Sequence, residues 1–177
     1  MFAKKPTLHG DRVTLRPVGP DDVPGLIELT SDPEVGRLTG SHGAPNDAAA
    51  AQWYATRGDH ADRLDLAICD AETGEYAGEI VINELDEDNL SCNLRIALVG
   101  SRAYGKGYGT EAIRLTIAHV FATTPLHRIS LGVYAFNERA VHVYRKVGFV
   151  EEGRLRDALR WDGQWYDEIV MSVLRTD

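Results

Sequence analysis

The sequence predicts an α/β fold: a mixed, largely antiparallel central sheet with helices packed on it. Three observations carry this. Three apolar runs, 64–69 (LDLAIC), 76–85 (YAGEIVINEL) and 91–99, follow one another across short polar turns, the pattern of an antiparallel meander. After them, segments of helical and strand period alternate to the end of the chain. Between these halves lies 100–112, GSRAYGKGYGTEA, with glycines at every second position.

In chain order, 7–18 (TLHGDRVTLRPV) alternates and reads as a first strand with Val13 and Leu15 on one face. Pro20-Asp21-Asp22 starts a helix that carries Val23, Leu26, Ile27 and Leu29, and Asp32-Pro33 ends it. A Gly/Pro/Asn-rich loop spans 41–47, after which Asp47 caps a second helix over 48–57 with Trp53 and Tyr54. The meander turns fall at 71–74 and 86–89. A helix runs from Thr110, which is available to cap it, then come a strand at 128–134 (RISLGVY) and a helix at 137–147 that Gly148 terminates. Two last strands, beginning at 149–152 and spanning 166–174, flank a turn at 160–165 (RWDGQW) that contains Asp162-Gly163. The order is β, α, α, β, β, β, α, β, α, β, β.

The chain has 177 residues, which favours one domain. Net charge is 19 − 27 = −8, which argues against a nucleic-acid partner and suits cationic substrates such as amines. Cys69 and Cys92 read as small buried hydrophobes rather than a disulfide, and the Cys and His residues have no metal-ligand spacing. With neither an apolar leader after Met1 nor a run of membrane-spanning length, the expectation is a cytoplasmic protein with no membrane partner.

The chemistry concentrates in two places. Gly105, Gly107 and Gly109 let the backbone approach a ligand without a Cβ in the way. The helix that follows points its unpaired N–H groups and positive dipole end at the same spot, which makes an anion site. The loop matches neither the GxxxxGK[ST] nor the GxGxxG pattern. The second place is 137–149, NERAVHVYRKVGF, with a cap at Asn137 and Tyr144 on the helix face that also carries Ala140, Val143 and Val147.

Together these motifs resemble the GNAT superfamily of acyl-CoA N-acyltransferases. The strand, the glycine loop and its helix, followed by NxxAxxxYxxxGF, match in order and spacing. The ending EEGRLRDALRWDGQWYDEIVMSVL and the opening TLRPV are similar to the branch that acetylates ribosomal-protein N-termini and small amines. The resemblance implies one acyl-CoA N-acyltransferase domain over 1–177, with a sheet whose central strands splay apart. It implies acetyl-CoA as co-substrate, no metal, and a homodimer as one option. Its acceptor would be a primary amine, on a small molecule such as a polyamine or aminoglycoside or on a protein N-terminus, attacking directly in a ternary complex.

By the same resemblance, Gly105, Lys106, Gly107, Tyr108, Gly109 and Thr110 would hold the pyrophosphate, with Arg102 and Lys106 adding charge. Tyr104 stands where the family usually has Gln or Arg. Ile96, Ala97 and Leu98 would run beside the pantetheine arm, and a backbone N–H near Leu98 would receive the oxyanion. Asn137 would touch the arm, with Arg139 and Ala140 near the loop, and Tyr144 would protonate the leaving thiolate. The family's usual base, a Glu, corresponds to Asn93, which accepts no proton at neutral pH. Glu84 is the first choice to replace it, ahead of Glu79, Asp86, Asp167 and Glu168. Trp53 is expected to wall the acceptor groove. Two alternatives stay open: a transferase of another acyl group such as succinyl, and a CoA-binding sensor with little turnover, which the vacancy at Asn93 supports.

Overall fold

The computed structural model describes residues 1–43 and 47–177, excluding the side chains of 47 and 50. The cap expected at Asp47 lies outside the described residues. The sheet orders its strands β1-β2-β3-β4-β5-β6-β8-β7. They are β1 (Leu8–His9), β2 (Val13–Pro17), β3 (Leu64–Asp70), β4 (Tyr76–Asp86), β5 (Ser91–Leu98), β6 (Arg128–Tyr134), β7 (Val150–Trp161) and β8 (Gln164–Leu174). The helices are α1 (Val23–Ser31), α2 (Pro33–Thr39), α3 (Asp47–Arg57), α4 (Gly100–Ala103), α5 (Tyr108–Thr123) and α6 (Glu138–Lys146).

Every strand pair is antiparallel except β5 with β6. A parallel neighbour needs a crossover, and α5 supplies it. That pairing covers only Ser91, Cys92 and Asn93 against Arg128, Ile129 and Ser130. Beyond it the strands part: β5 stays on β4 as far as Leu98, while β6 stays on β8 as far as Tyr134. The sheet therefore opens as a V at its centre. Gly78 helps set the bend, because with φ +152° it lies so close to β5 that a Cβ would strike the Ala97 carbonyl oxygen.

Four elements differ from the sequence reading, one of them α4, a short helix that opens the glycine stretch 100–112. The first strand is two: β1 folds back on β2, pairing Leu8 with Leu15, and Glu111 of α5 accepts the N–H groups of Asp11, Arg12 and Val13 in the turn between them. A partner about a hundred residues away supplies the missing acceptors, so local alternation could not reveal the break. Asp32-Pro33 ends α1 but also starts α2. The Asp32 carboxylate accepts from Glu34 N at 2.8 Å, and Pro33 takes the helix position that needs no N–H. Helix α5 begins at Tyr108, not Thr110; Gly107, with φ +82°, is its cap residue, and Thr110 makes no cap.

The last hairpin turns at Asp162-Gly163 as expected, but its loop is two residues rather than 160–165, because Arg160 pairs with Trp165. Asp162 and Gly163 both have positive φ, and Trp161 pairs with Gln164. Both cysteines are free and buried. The apolar core joins the inner face of the sheet to α5 and α6, through Ile80, Ile82, Leu94, Leu131, Val133, Ile113 and Tyr144. Helices α1, α2 and α3 cover the other face. Among the described residues, no helix is long and apolar enough to cross a membrane, and no cluster of three or more His, Cys, Asp or Glu has metal-binding geometry.

Beneath α3 lies a buried ion pair. Arg57 Nε donates to Asp65 Oδ1 at 2.9 Å and Arg63 Nε to Asp65 Oδ2 at 2.7 Å, while Arg57 Nη1 reaches Glu79 at 3.2 Å. Burial acts to raise the Asp65 pKa, but the hydrogen bonds from Arg63 and Arg57 outweigh it and hold the carboxyl below its ordinary value. Asp65→Ala leaves Arg57 buried with only Glu79 and is expected to cost roughly 3 kcal/mol in urea unfolding at pH 7. A carboxyl of depressed pKa stabilises above its unfolded pKa and loses that contribution as pH falls through the folded value. The penalty should therefore shrink below about pH 4. A penalty under about 0.5 kcal/mol at pH 7, the range of ordinary surface changes, would contradict the role.

Candidate active site

The V between β5 and β6 opens onto the start of α5 and forms a continuous groove of about 1040 Å³. That volume is at the upper end for a ligand site, enough for an extended donor and a second molecule. Beyond Asn93 the β5 edge that faces β6 has no strand partner. Its backbone polar groups are free to bond a ligand.

At one end of the groove lies the glycine loop. Gly105 and Gly107 adopt φ +75° and +82°, and no side chain caps the first turn of α5. The N–H groups there are turned toward the loop. Beside it sits a smaller cavity of about 410 Å³ lined by Arg12, Lys106, Arg114 and Lys146, with Gly105, Gly107, Thr110 and Glu111. Four cations around a helix start are a setting for phosphate. Arg102 is not among them. It donates to Glu28 at 2.6 and 2.7 Å, to Glu75 and to the Tyr76 carbonyl, so its charge is spent on the far side of α4. Arg114, missed in the sequence, carries a legible signal: it stands one turn after Thr110 on the helix that leaves the loop. Arg12 comes from the β1–β2 turn and Lys146 from the end of α6, and neither has a local signal.

The groove gathers Ile96, Ala97, Leu98, Tyr104, Gly105, Gly107, Tyr108, Gly109, Thr110, Asn137, Arg139, Ala140, Tyr144, Asn93 and Glu84 along its walls; Lys106 faces the adjoining cavity. Their local settings differ. The Tyr108 hydroxyl is bonded to Asp70, which anchors the first turn of α5 to β3. The Arg139 guanidinium lies over the Tyr104 ring, 3.7 Å from its centre. Asn137 Oδ1 accepts from Ala140 N at 3.2 Å and caps α6. Asn93 donates to Asn83 Oδ1 at 3.1 Å. Glu84 lies exposed at the groove rim, with φ +52° in the irregular end of β4.

Tyr144 projects from α6 into the groove, its ring edge-on to Phe149. Its hydroxyl has no hydrogen-bond partner among the described residues. Burial pushes its pKa up to about 12, so the hydroxyl stays protonated at neutral pH and can donate.

On the opposite wall, Trp53 lines the groove with the guanidinium groups of Arg63 and Arg57 at 4.9 and 5.4 Å from its ring. Three further aromatic residues, Tyr54, Trp161 and Trp165, are placed elsewhere. Tyr54 is buried and donates to Glu79 at 2.6 Å, Trp161 stacks on His42, and Trp165 is exposed. The groove also holds Glu79, Arg95 and Glu168.

Comparison with known proteins agrees with this architecture. The family model described as an acetyltransferase (GNAT) domain matches residues 12–150. A spermidine N(1)-acetyltransferase of Escherichia coli (strain K12) is 31% identical over 117 residues, 66% of this chain and 61% of that protein. A putative ribosomal N-acetyltransferase, YdaF, of Bacillus subtilis (strain 168) is 27% identical over 182 residues, covering 100% of this chain and 97% of the relative. The crystal structure of spermidine N-acetyltransferase from Vibrio cholerae, solved with CoA and spermine, superposes with a TM-score of 0.86 at 23% identity, over 94% of this chain and 98% of that one. An uncapped helix start at the glycine loop, a parted β5–β6 pair and a match over most of the chain lead to one conclusion: the chain belongs to the GNAT acetyltransferase family and is an N-acetyltransferase.

Proposed function

We propose that the chain, as one domain over 1–177, transfers an acetyl group from acetyl-CoA to a primary amine by direct attack in a ternary complex. The observation that carries this reading is the Tyr144 hydroxyl, without a hydrogen-bond partner among the described residues, in the gap that leads to the glycine loop. GNAT acetyltransferases use acetyl-CoA. The residues here suit it: first-turn N–H groups and the cations Arg12, Lys106, Arg114 and Lys146 for its phosphates, and the open edge of β5 for its amide-bearing arm.

The neutral amine attacks the thioester carbonyl, a C–N bond forms, and a tetrahedral oxyanion results. A backbone N–H on β5 near Leu98 stabilises that charge. Collapse breaks the C–S bond, and Tyr144 donates its proton to the departing sulfur. Neither Cys69 nor Cys92 lines the groove, and both thiols are pushed up in pKa by burial, which suits direct transfer over a covalent acyl-enzyme. The amine class draws support from the spermidine and ribosomal relatives, so the acceptor is a small polyamine-like amine or a protein N-terminus.

Two variants test the two halves of this reading. Gly107→Glu puts a side chain on a residue with φ +82° and a negative charge at the helix start. CoA affinity measured by calorimetry should fall at least about tenfold, roughly 1.4 kcal/mol; unchanged affinity would refute the phosphate site. Tyr144→Phe should lower kcat by about 10²-fold, the lower range for general acid catalysis, with acetyl-CoA affinity within about twofold. An unaltered kcat would remove Tyr144 from the proton path.

A further inference from the structure

In this fold a carboxylate is missing from β5: the position of the usual base is Asn93, and its amide is occupied with Asn83. The parallel register puts Asn93 opposite Ser130 of β6. Gly132 is two residues further along β6 and so shares that face of the sheet. Glu168 on β8 pairs with Tyr134, the next residue on the same face. Its carboxylate leans back along β6 and lies directly over Gly132, so that a Cβ at 132 would collide with Oε1. The side chain thus crosses from the third strand over a bare glycine toward the point where β5 and β6 part.

The other acidic groups are committed or remote. Glu79 accepts from Tyr54 and Arg57. Asp167 accepts from Asp157 N at 3.1 Å and sits 3.6 Å from Arg154. Asp86 accepts from Asn89. Glu84 is exposed at the rim. Glu168 lines the groove, is half-buried, and has no hydrogen-bond or ion-pair partner among the described residues. Burial raises its pKa. The neighbouring elements offer it Tyr134 from β6, Arg95 from β5 across the gap, exposed Leu155 from β7, and Arg37 of α2, which lies over Phe136 and Tyr166.

We propose that Glu168 is the general base, taking the place that Asn93 leaves open, and that it receives the proton of the acceptor ammonium over Gly132. This rests on the transferase reading above. The nitrogen of an ammonium loses two protons on becoming an amide. The first passes to the Glu168 carboxylate and then to solvent, which frees the lone pair for attack. The second leaves after the C–N bond forms and balances the proton that Tyr144 gives to the sulfur as the C–S bond breaks.

The test follows thiol release from acetyl-CoA, with spermidine and an alanyl peptide as acceptors, across pH in the whole protein. Wild-type kcat should show an acid limb above the ordinary carboxylate range, falling as pH drops. Glu168→Gln should lower kcat at pH 7 roughly 100-fold or more while CoA affinity holds, and should lose that limb, its rate rising instead toward the amine's own pKa. Glu168→Asp should recover part of the rate. Gly132→Ala, which keeps the carboxylate but pushes it off its seat, should lower kcat with CoA binding intact. Wild-type rate and limb in Glu168→Gln, or the same loss of limb in Glu84→Gln instead, would overturn the assignment while leaving the transferase reading standing. A wild type that binds CoA but releases no thiol with either amine would fail the acceptor reading itself and the base role with it.

Discussion

The short parallel pairing of β5 with β6 is the constraint on which the rest depends. Three residues on each strand hold the two halves of the sheet together, and then the ladder stops. Each half keeps its other neighbour, β4 on one side and β8 on the other, so neither strand loses its support where they part. The gap leaves one edge of β5 without partners, a costly condition inside a protein unless water or a ligand satisfies it. It also joins the two faces of the sheet. The face covered by α5 and α6 carries the glycine loop and Tyr144. The face covered by α1, α2 and α3 carries Trp53, Glu79, Asn93 and Glu168. Donor and acceptor can thus approach one point from opposite sides.

The loop is braced from several directions. Glu111 ties the start of α5 to the β1–β2 turn, the Tyr108 hydroxyl bonds Asp70, and Arg12 donates to the Lys106 carbonyl at 3.3 Å. These contacts fix the first turn of α5 while leaving its N–H groups uncapped, and a rigid, preorganised set of donors holds an anion with less ordering cost than a mobile one. The carboxylates are sorted in a comparable way. Asp65 and Glu79 are used to balance Arg57 and Arg63 under α3, Asp167 braces the β7–β8 hairpin, and Glu168 is left facing the groove.

Much of this was legible in the sequence because its cause is local. Gly105 and Gly107 take positive φ at a helix start, Asp162-Gly163 makes a two-residue turn, and Asn137 caps α6, each from a few adjacent residues. The family motif at 137–149 spans α6, from its cap Asn137 to Gly148 and Phe149 just past its end. What the sequence hid depends on partners far away. The break between β1 and β2 is held by Glu111. Arg102 looked like a phosphate ligand until α4 turned it onto Glu28. Helix α2 was missed for a different reason. Asp-Pro is both a helix terminator and a cap followed by a first-turn proline, and only the Asp32 hydrogen bonds decide between them. Glu79 and Glu168 were equal among the acidic residues of the sequence; burial and the bare Gly132 surface separate them.

The open edge of β5 is the proposed seat of the donor's arm. Hydrogen–deuterium exchange of residues 94–98, compared with and without saturating CoA, measures this directly. Protection of those amides on CoA binding, alongside the first turn of α5, is expected if the arm lies along that edge. CoA binding that protects α5 but leaves 94–98 unchanged would contradict that placement.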